Sequence, residues 1–213
     1  MNVLVFAPHN DDEILGAGGT ICKLADSGHA VTICEITAGA RKAILQDEAK
    51  KAHAIIGVTN TVFLNLPTVR LNEVHKDEIN SAMGEIVQAT KPEIVFIPHY
   101  GDMHLDHRVV ADAATVAVRP LAAPYVKKIF AYETLSETEW NTPSVNNAFI
   151  PNAWSDIRDY LGKKIEAMGC YKSQLFEFPH PRSFGAIEAL AKYRGSTVGF
   201  EAAEAFMVLR DLL

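Results

Sequence analysis

The sequence has little cysteine, no long apolar run and no basic cluster, and each absence removes a class of protein. Its three cysteines, Cys22, Cys34 and Cys170, are an odd set without C-x-x-C spacing and sit among apolar neighbours such as Ile21 and Ile33. They read as reduced core residues, not as a disulfide framework or a thiolate metal site. No stretch approaches the roughly 18 uninterrupted apolar residues of a spanning helix. The opening MNVLVFAPHNDDE has no basic leader region and loses its apolar character after Ala7, so the expectation is a cytoplasmic protein without membrane insertion. Lysine and arginine never cluster beyond pairs such as Lys50-Lys51, and 20 basic against 26 acidic residues give a net charge of −6. A nucleic-acid partner is therefore not expected, because it needs a basic stripe to displace phosphate counterions. G-x-x-x-x-G-K-[ST] and G-x-S-x-G are also missing, which removes P-loop and serine-hydrolase chemistry.

What is present fits one globular domain spanning residues 1–213, with 48% hydrophobic and 22% charged residues and no linker, repeat or low-complexity segment. Apolar runs at Val3–Phe6, Ala30–Ile36, Thr61–Leu64, Ile94–Ile97 and Ile129–Tyr132 predict strands. Helical stretches at about 14–27, 42–56, 76–90 and 106–118 separate them. Short, continuously apolar strands alternating with helices predict an α/β, Rossmann-like three-layer fold around a mostly parallel sheet. Beyond Glu133 the pattern weakens: 142–154 is polar, 155–168 and 182–193 look helical, and 203–209 fits helix or strand. The glycines of 16–19 do not make a dinucleotide fingerprint, since Ile21 stands where the third glycine belongs; close packing of helix on sheet accounts for them.

Metal-type ligands concentrate in two segments, each directly after a predicted strand. The first is Pro8-His9-Asn10-Asp11-Asp12-Glu13; the second is Pro98-His99-Tyr100-Gly101-Asp102-Met103-His104-Leu105-Asp106-His107. In a doubly wound sheet the first and fourth strands are adjacent, and ligands bind in the crevice outside their carboxyl ends. Two loops distant in sequence are thus expected to meet. Imidazoles and carboxylates crowded there would repel or lie unpaired, whereas a divalent cation pairs with all of them. His9, Asp12 and His107 supply two nitrogens and one oxygen, a set that suits Zn2+ with an open place for water, though Fe(II) or Co(II) also fits it. Asp11 is left free to take a proton. An acidic first helical turn explains residues 11–13 alone but not the second cluster. His99 reads as pocket wall, with a ligand swap for His107 left open, and His29, His53 and His75 as ordinary residues. Arg41, Arg70, Tyr100, Asp102 and Arg182 are candidates for a polar pocket lining, and Trp140 and Trp154 for packing or a subunit contact.

These motifs resemble those of the LmbE-like or PIG-L de-N-acetylases, whose (A/P)HPDDE and HPDH signatures stand here as Ala7-Pro8-His9-Asn10-Asp11-Asp12-Glu13 and His104-Leu105-Asp106-His107. The likeness continues in order through Gly16–Gly19, Thr37-Ala38-Gly39, Glu48, Lys164, Tyr171-Lys172-Ser173-Gln174 and Ala203-Glu204-Ala205-Phe206. The resemblance implies a zinc-dependent deacetylase of an N-acetylated, N-acetylglucosamine-type sugar. In it His9, Asp12 and His107 bind one zinc ion per chain, Asp11 is the general base, and His104, oriented by Asp106, stabilises the oxyanion or protonates the amine. It also implies a homo-oligomer, trimer or hexamer. Asn10 and Leu105 replace the family's prolines, and Leu45 stands where many relatives have an arginine before Glu48. The alternatives are a metal hydrolase of another amide or an ester, and a non-catalytic Rossmann-like binding module.

Overall fold

The computed structural model describes residues 1–213. Its strands are β1 (Asn2–Ala7), β2 (Ala30–Ala38), β3 (Asn60–Pro67), β4 (Ile94–Pro98), β5 (Lys128–Tyr132), β6 (Ala153–Asp156) and β7 (Ala203–Asp211). Its helices are α1 (Asp12–Asp26), α2 (Lys42–Ile55), α3 (Lys76–Thr90), α4 (Leu105–Ala117), α5 (Leu161–Met168) and α6 (Phe184–Ser196). They form one seven-stranded sheet in the order β3-β2-β1-β4-β5-β7-β6, in which β7 alone runs against the others. The chain is thus an α/β protein with a mostly parallel sheet, as the strand and helix alternation predicts. No helix is long and apolar enough to cross a membrane.

Alternation along the central strands divides the core. Val3, Val5, Ile94 and Phe96 face α1, α2, α5 and α6 together with Ile14, Ala49, Met168 and Ile187. Leu4, Phe6, Val95 and Ile97 face α3 and α4 with Met83, Val87, Val110 and Ala114. A strand buried on both faces needs apolar residues at every position, which is why β1 and β4 read as unbroken runs. The two pair directly, Val3 beside Ile94 and Val5 beside Phe96, so the loops that leave their carboxyl ends are neighbours.

Helix α1 carries the first motif, and its seat is fixed by contacts along its length. An added Cβ at Gly16 would lie 2.2 Å from the Tyr132 ring, and one at Gly19 would lie 2.9 Å from Ile157; glycine is what lets the helix approach. In the middle of the helix the Gly19 and Thr20 amides donate to the Glu204 carboxylate at 2.9 and 2.7 Å. Lys164 Nζ donates to the Leu15 carbonyl at 2.8 Å and to Glu204 at 2.6 Å. Strand β7 and helix α5 thereby hold the helix through a buried, fully paired charge, the arrangement that buried ions require.

The departures from the sequence reading lie in the last third. Residues 153–156, placed across a polar segment and the start of a helix, form the edge strand β6. Its residues are all half-buried, so no apolar run marks it. Residues 203–209, readable as helix or strand, fall in β7, whose pairing with β5 is set by residues 70 or more positions away.

Candidate metal centre

The two motif loops meet at the carboxyl end of the sheet. His9 Nδ1 lies 3.3 Å from Asp12 Oδ2, His107 Nε2 lies 3.1 Å from the same oxygen, and the two ring nitrogens are 3.3 Å apart. Asp12 and His107 are fully buried, while His9 is 20% exposed and borders the opening. His107 turns Nε2 inward because Nδ1 faces Asp102 Oδ2 at 2.8 Å. The other oxygen of Asp102 accepts from Thr138 Oγ1 at 2.6 Å. An imidazole whose second nitrogen is fixed by a carboxylate has the arrangement common to metal-binding histidines.

Charge and hydrogen bonding at this point fit a divalent cation. Burial would lower the His9 ring, but Asp106 and Asp12 outweigh it and raise the ring to about 9. Burial likewise works against His107, yet Asp12 and Asp102 lift it well above the ordinary histidine value. Burial alone would raise Asp12, and the two rings instead hold it well below the usual carboxylate range. All three shifts express one field: the carboxylates draw positive charge to the point where the rings meet. Asp12 Oδ1 is buried there without a hydrogen-bond partner, as a carboxylate with a further acceptor position for a cation would be. Two nitrogens and one carboxylate make a three-ligand set of the open, catalytic kind.

Asp11 stands beside them in a strained backbone, with φ 120. For a residue other than glycine this is a rare conformation that needs support from its surroundings. The Asp11 amide donates to Glu13 Oε2 at 3.1 Å, and Arg182 Nη1 donates to Asp11 Oδ2 at 3.1 Å. Its second oxygen, Oδ1, is buried and unpartnered. Burial pushes the Asp11 carboxyl up to about 8, against the pull of Arg182 and with Asp12 and Glu13 adding to the rise. Arg182 is itself braced by Ser136 Oγ at 2.8 Å and Gln174 Oε1 at 3.2 Å.

The relation between His104 and Asp106 differs from the expected one. The carboxylate of Asp106 makes no hydrogen bond to His104, whose Nδ1 lies 3.9 Å from Oδ2. It accepts the amides of Val69 at 2.7 Å and Leu71 at 3.1 Å and meets His9 Nε2 at 3.1 Å. What fixes His104 is the Asp106 amide, donating to His104 Nδ1 at 3.1 Å, with His104 as N-cap of α4. A neutral His104 with Nδ1 accepting carries its proton on Nε2. Burial, reinforced by the His9 ring, lowers His104 to about 4 against the pull of Asp106. With Nδ1 accepting the Asp106 amide, the nitrogen left to donate is Nε2. Leu105 occupies the first turn of α4, where proline fits without loss of a hydrogen bond; its substitution removes only rigidity.

Beside these groups opens a cleft of about 300 Å³ lined by His9, Asp11, Arg41, His104, Gln174 and Arg182 among others. Leu45 also lines it, whereas Glu48 is occupied by the Ser173 amide and hydroxyl at 3.1 and 2.7 Å. His99 packs on Phe149 with Nε2 3.1 Å from the Asn147 carbonyl, outside the ligand cluster. Arg70 pairs with Glu73 on the surface, and Tyr100 is exposed. The sequence offered Asp102 and Arg182 only as possible lining. Asp102 was findable as an acid five residues before a candidate ligand, while Arg182 lies 171 residues from Asp11 and has no such signal.

Comparison with known proteins bears on the family and the fold. The PIG-L family profile, described as GlcNAc-PI de-N-acetylase, matches residues 4–118. An uncharacterized deacetylase of Escherichia coli, YaiS, is 29% identical over 181 residues, covering 80% of this chain and 90% of that protein. The diacetylchitobiose deacetylase of Thermococcus kodakarensis is 26% identical over 219 residues, covering 95% and 80% respectively. The crystal structure of the conserved protein TT1542 from Thermus thermophilus superposes with a TM-score of 0.82 at 26% identity, over 99% of this chain and 96% of that one.

Proposed function

The chain belongs to the PIG-L de-N-acetylase family, and from that premise we propose that it is a zinc-dependent hydrolase that removes the acetyl group from an N-acetylglucosamine-type sugar. The observation that carries this reading is the meeting of His9 Nδ1, Asp12 Oδ2 and His107 Nε2 within 3.3 Å of one another, beside Asp11, at the mouth of a cleft. The diacetylchitobiose deacetylase among its relatives supports the substrate class.

His9, Asp12 and His107 are the residues that would hold the cation. A zinc ion so held supplies Lewis acidity, making water a better nucleophile near neutral pH and polarising an acetamide carbonyl. Asp11 is the base: Arg182 holds Oδ2, and Oδ1 remains to accept the proton of the attacking water and return it to the departing amine. His104 donates from Nε2 to the oxygen on which charge develops, a role that suits a neutral ring with a fixed tautomer. Asp106 and Asp102 orient His9 and His107 respectively.

Asp102→Asn is expected to weaken zinc binding by about 10–100-fold, the usual cost of losing an outer-shell carboxylate. A chelator-competition titration checks this, with kcat at saturating zinc much less affected. Substrate class is tested by acetate release from a panel of N-acetylglucosamine derivatives. The expected result is deacetylation that chelation abolishes and zinc restores. Cleavage confined to esters or other amides would favour a different metal hydrolase, and inertness of the zinc-loaded protein toward every substrate would favour a binding module.

A further inference from the structure

Behind the candidate centre, away from the cleft, a second set of ligand-type side chains closes on itself. Glu13 comes from α1, Glu35 from β2 and His53 from α2. His53 Nε2 lies 3.2 Å from Glu13 Oε1 and 3.5 Å from Glu35 Oε1, and one donor atom from each residue lies within 4.8 Å of the other two. Both glutamates are fully buried and His53 is 3% exposed. The Tyr171 hydroxyl, 2.6 Å from Glu13 Oε1, adds a fourth donor atom at the edge of the group.

Two features set this cluster apart from an ordinary buried network. Neither oxygen of Glu35 has a hydrogen-bond partner, although both are sealed from water. Buried polar atoms are almost always satisfied, and a buried carboxylate that accepts no hydrogen bond signals an absent proton or ion. In addition, His53 Nδ1 is engaged by Thr61 Oγ1 at 2.7 Å, which directs Nε2 toward the two carboxylates, much as Asp102 directs Nε2 of His107. Two carboxylates and a divalent cation sum to zero charge, so the assembly could be buried without a net ion.

We infer that Glu13, Glu35 and His53, with the Tyr171 hydroxyl alongside, form a second divalent-cation site, closed and structural. Carboxylate and imidazole are both ligand types that zinc accepts, and burial away from the cleft leaves no open place for substrate, as in a structural site. The ion would tie α1, β2 and α2 together and fix Glu13, whose other oxygen accepts the amide of the strained Asp11. The inference goes beyond the deacetylase reading and does not depend on it, because these residues do not line the cleft.

The test is metal analysis of the whole protein, produced with zinc in the medium and dialysed against EDTA while folded. Wild type is expected to retain one zinc per chain, released only on unfolding in guanidinium. Glu35→Gln, nearly isosteric, is expected to retain none while still taking up one exchangeable zinc at the open site. X-ray absorption of the retained zinc should show one imidazole and otherwise oxygen ligands, a readout that stands on wild type alone if the variant fails to fold. Retention of no zinc by wild type, an undiminished equivalent in Glu35→Gln, or a retained ion with two imidazoles would overturn the inference; the first result would assign the pair a shared proton instead.

Discussion

Asp11→Asn is expected to lower turnover by at least about two decades while zinc content and melting temperature stay close to wild type. General-base catalysis contributes roughly 10²–10⁴-fold, and asparagine keeps the shape of the side chain while losing the ability to accept the proton. The structure sharpens the expectation. Arg182 holds Oδ2, and Oδ1 is the free atom, so an amide that turns its oxygen to the arginine presents an NH2 group where the base was. KM should change much less than kcat, because the lost interaction belongs to the transition state. Acetate release under saturating zinc measures the first quantity and metal analysis the second; unchanged kcat would remove Asp11 from the chemistry.

His107→Ala is expected to have an effect of comparable size by a different route. His107 is fully buried between Asp12 and Asp102, with ring nitrogens 3.1 and 2.8 Å from their carboxylates. Removing it deletes a proposed ligand and leaves two buried carboxylates facing each other without the cation that reconciles them. Zinc affinity at the open site should fall by more than the roughly 10–100-fold that outer-shell changes cost, and turnover should fall to background at ordinary zinc concentrations. Isothermal titration with zinc, alongside circular dichroism to show that the fold persists, separates loss of the ion from loss of structure. Retained affinity would place the ion elsewhere, with His9, His104 and Asp106 as the next candidate set.

How much of this was legible in the sequence follows from where each signal resides. β1 and β4 are buried on both faces, so Leu4 and Val5 are equally apolar and the strand appears as a run. Their adjacency follows from the parallel topology, and it brings His9 and His107 together from 98 positions apart. The edge strand β6 carries no such run, and β7 becomes a strand only by pairing between β5 and β6. Within the site, residue types close in sequence were readable as a group: Asp11 with Asp12, His104 with His107. The direction of the Asp106 carboxylate was not, because it is set by the Val69 and Leu71 amides, which no motif contains. His53 looked ordinary for the same reason. Its meaning comes from Glu13 and Glu35 on other elements, the first read only as part of the acidic motif 11–13 and the second a lone acid in the apolar run of β2.

The central claim is that two turns of the chain enclose one cation at the end of the sheet, and crystallography of the protein grown with zinc tests it most directly. Anomalous scattering measured above and below the zinc edge is expected to give a peak bounded by His9 Nδ1, Asp12 Oδ2 and His107 Nε2 and open to the cleft. Well-ordered side chains at these positions with no anomalous density among them, in zinc-saturated crystals, would contradict the account.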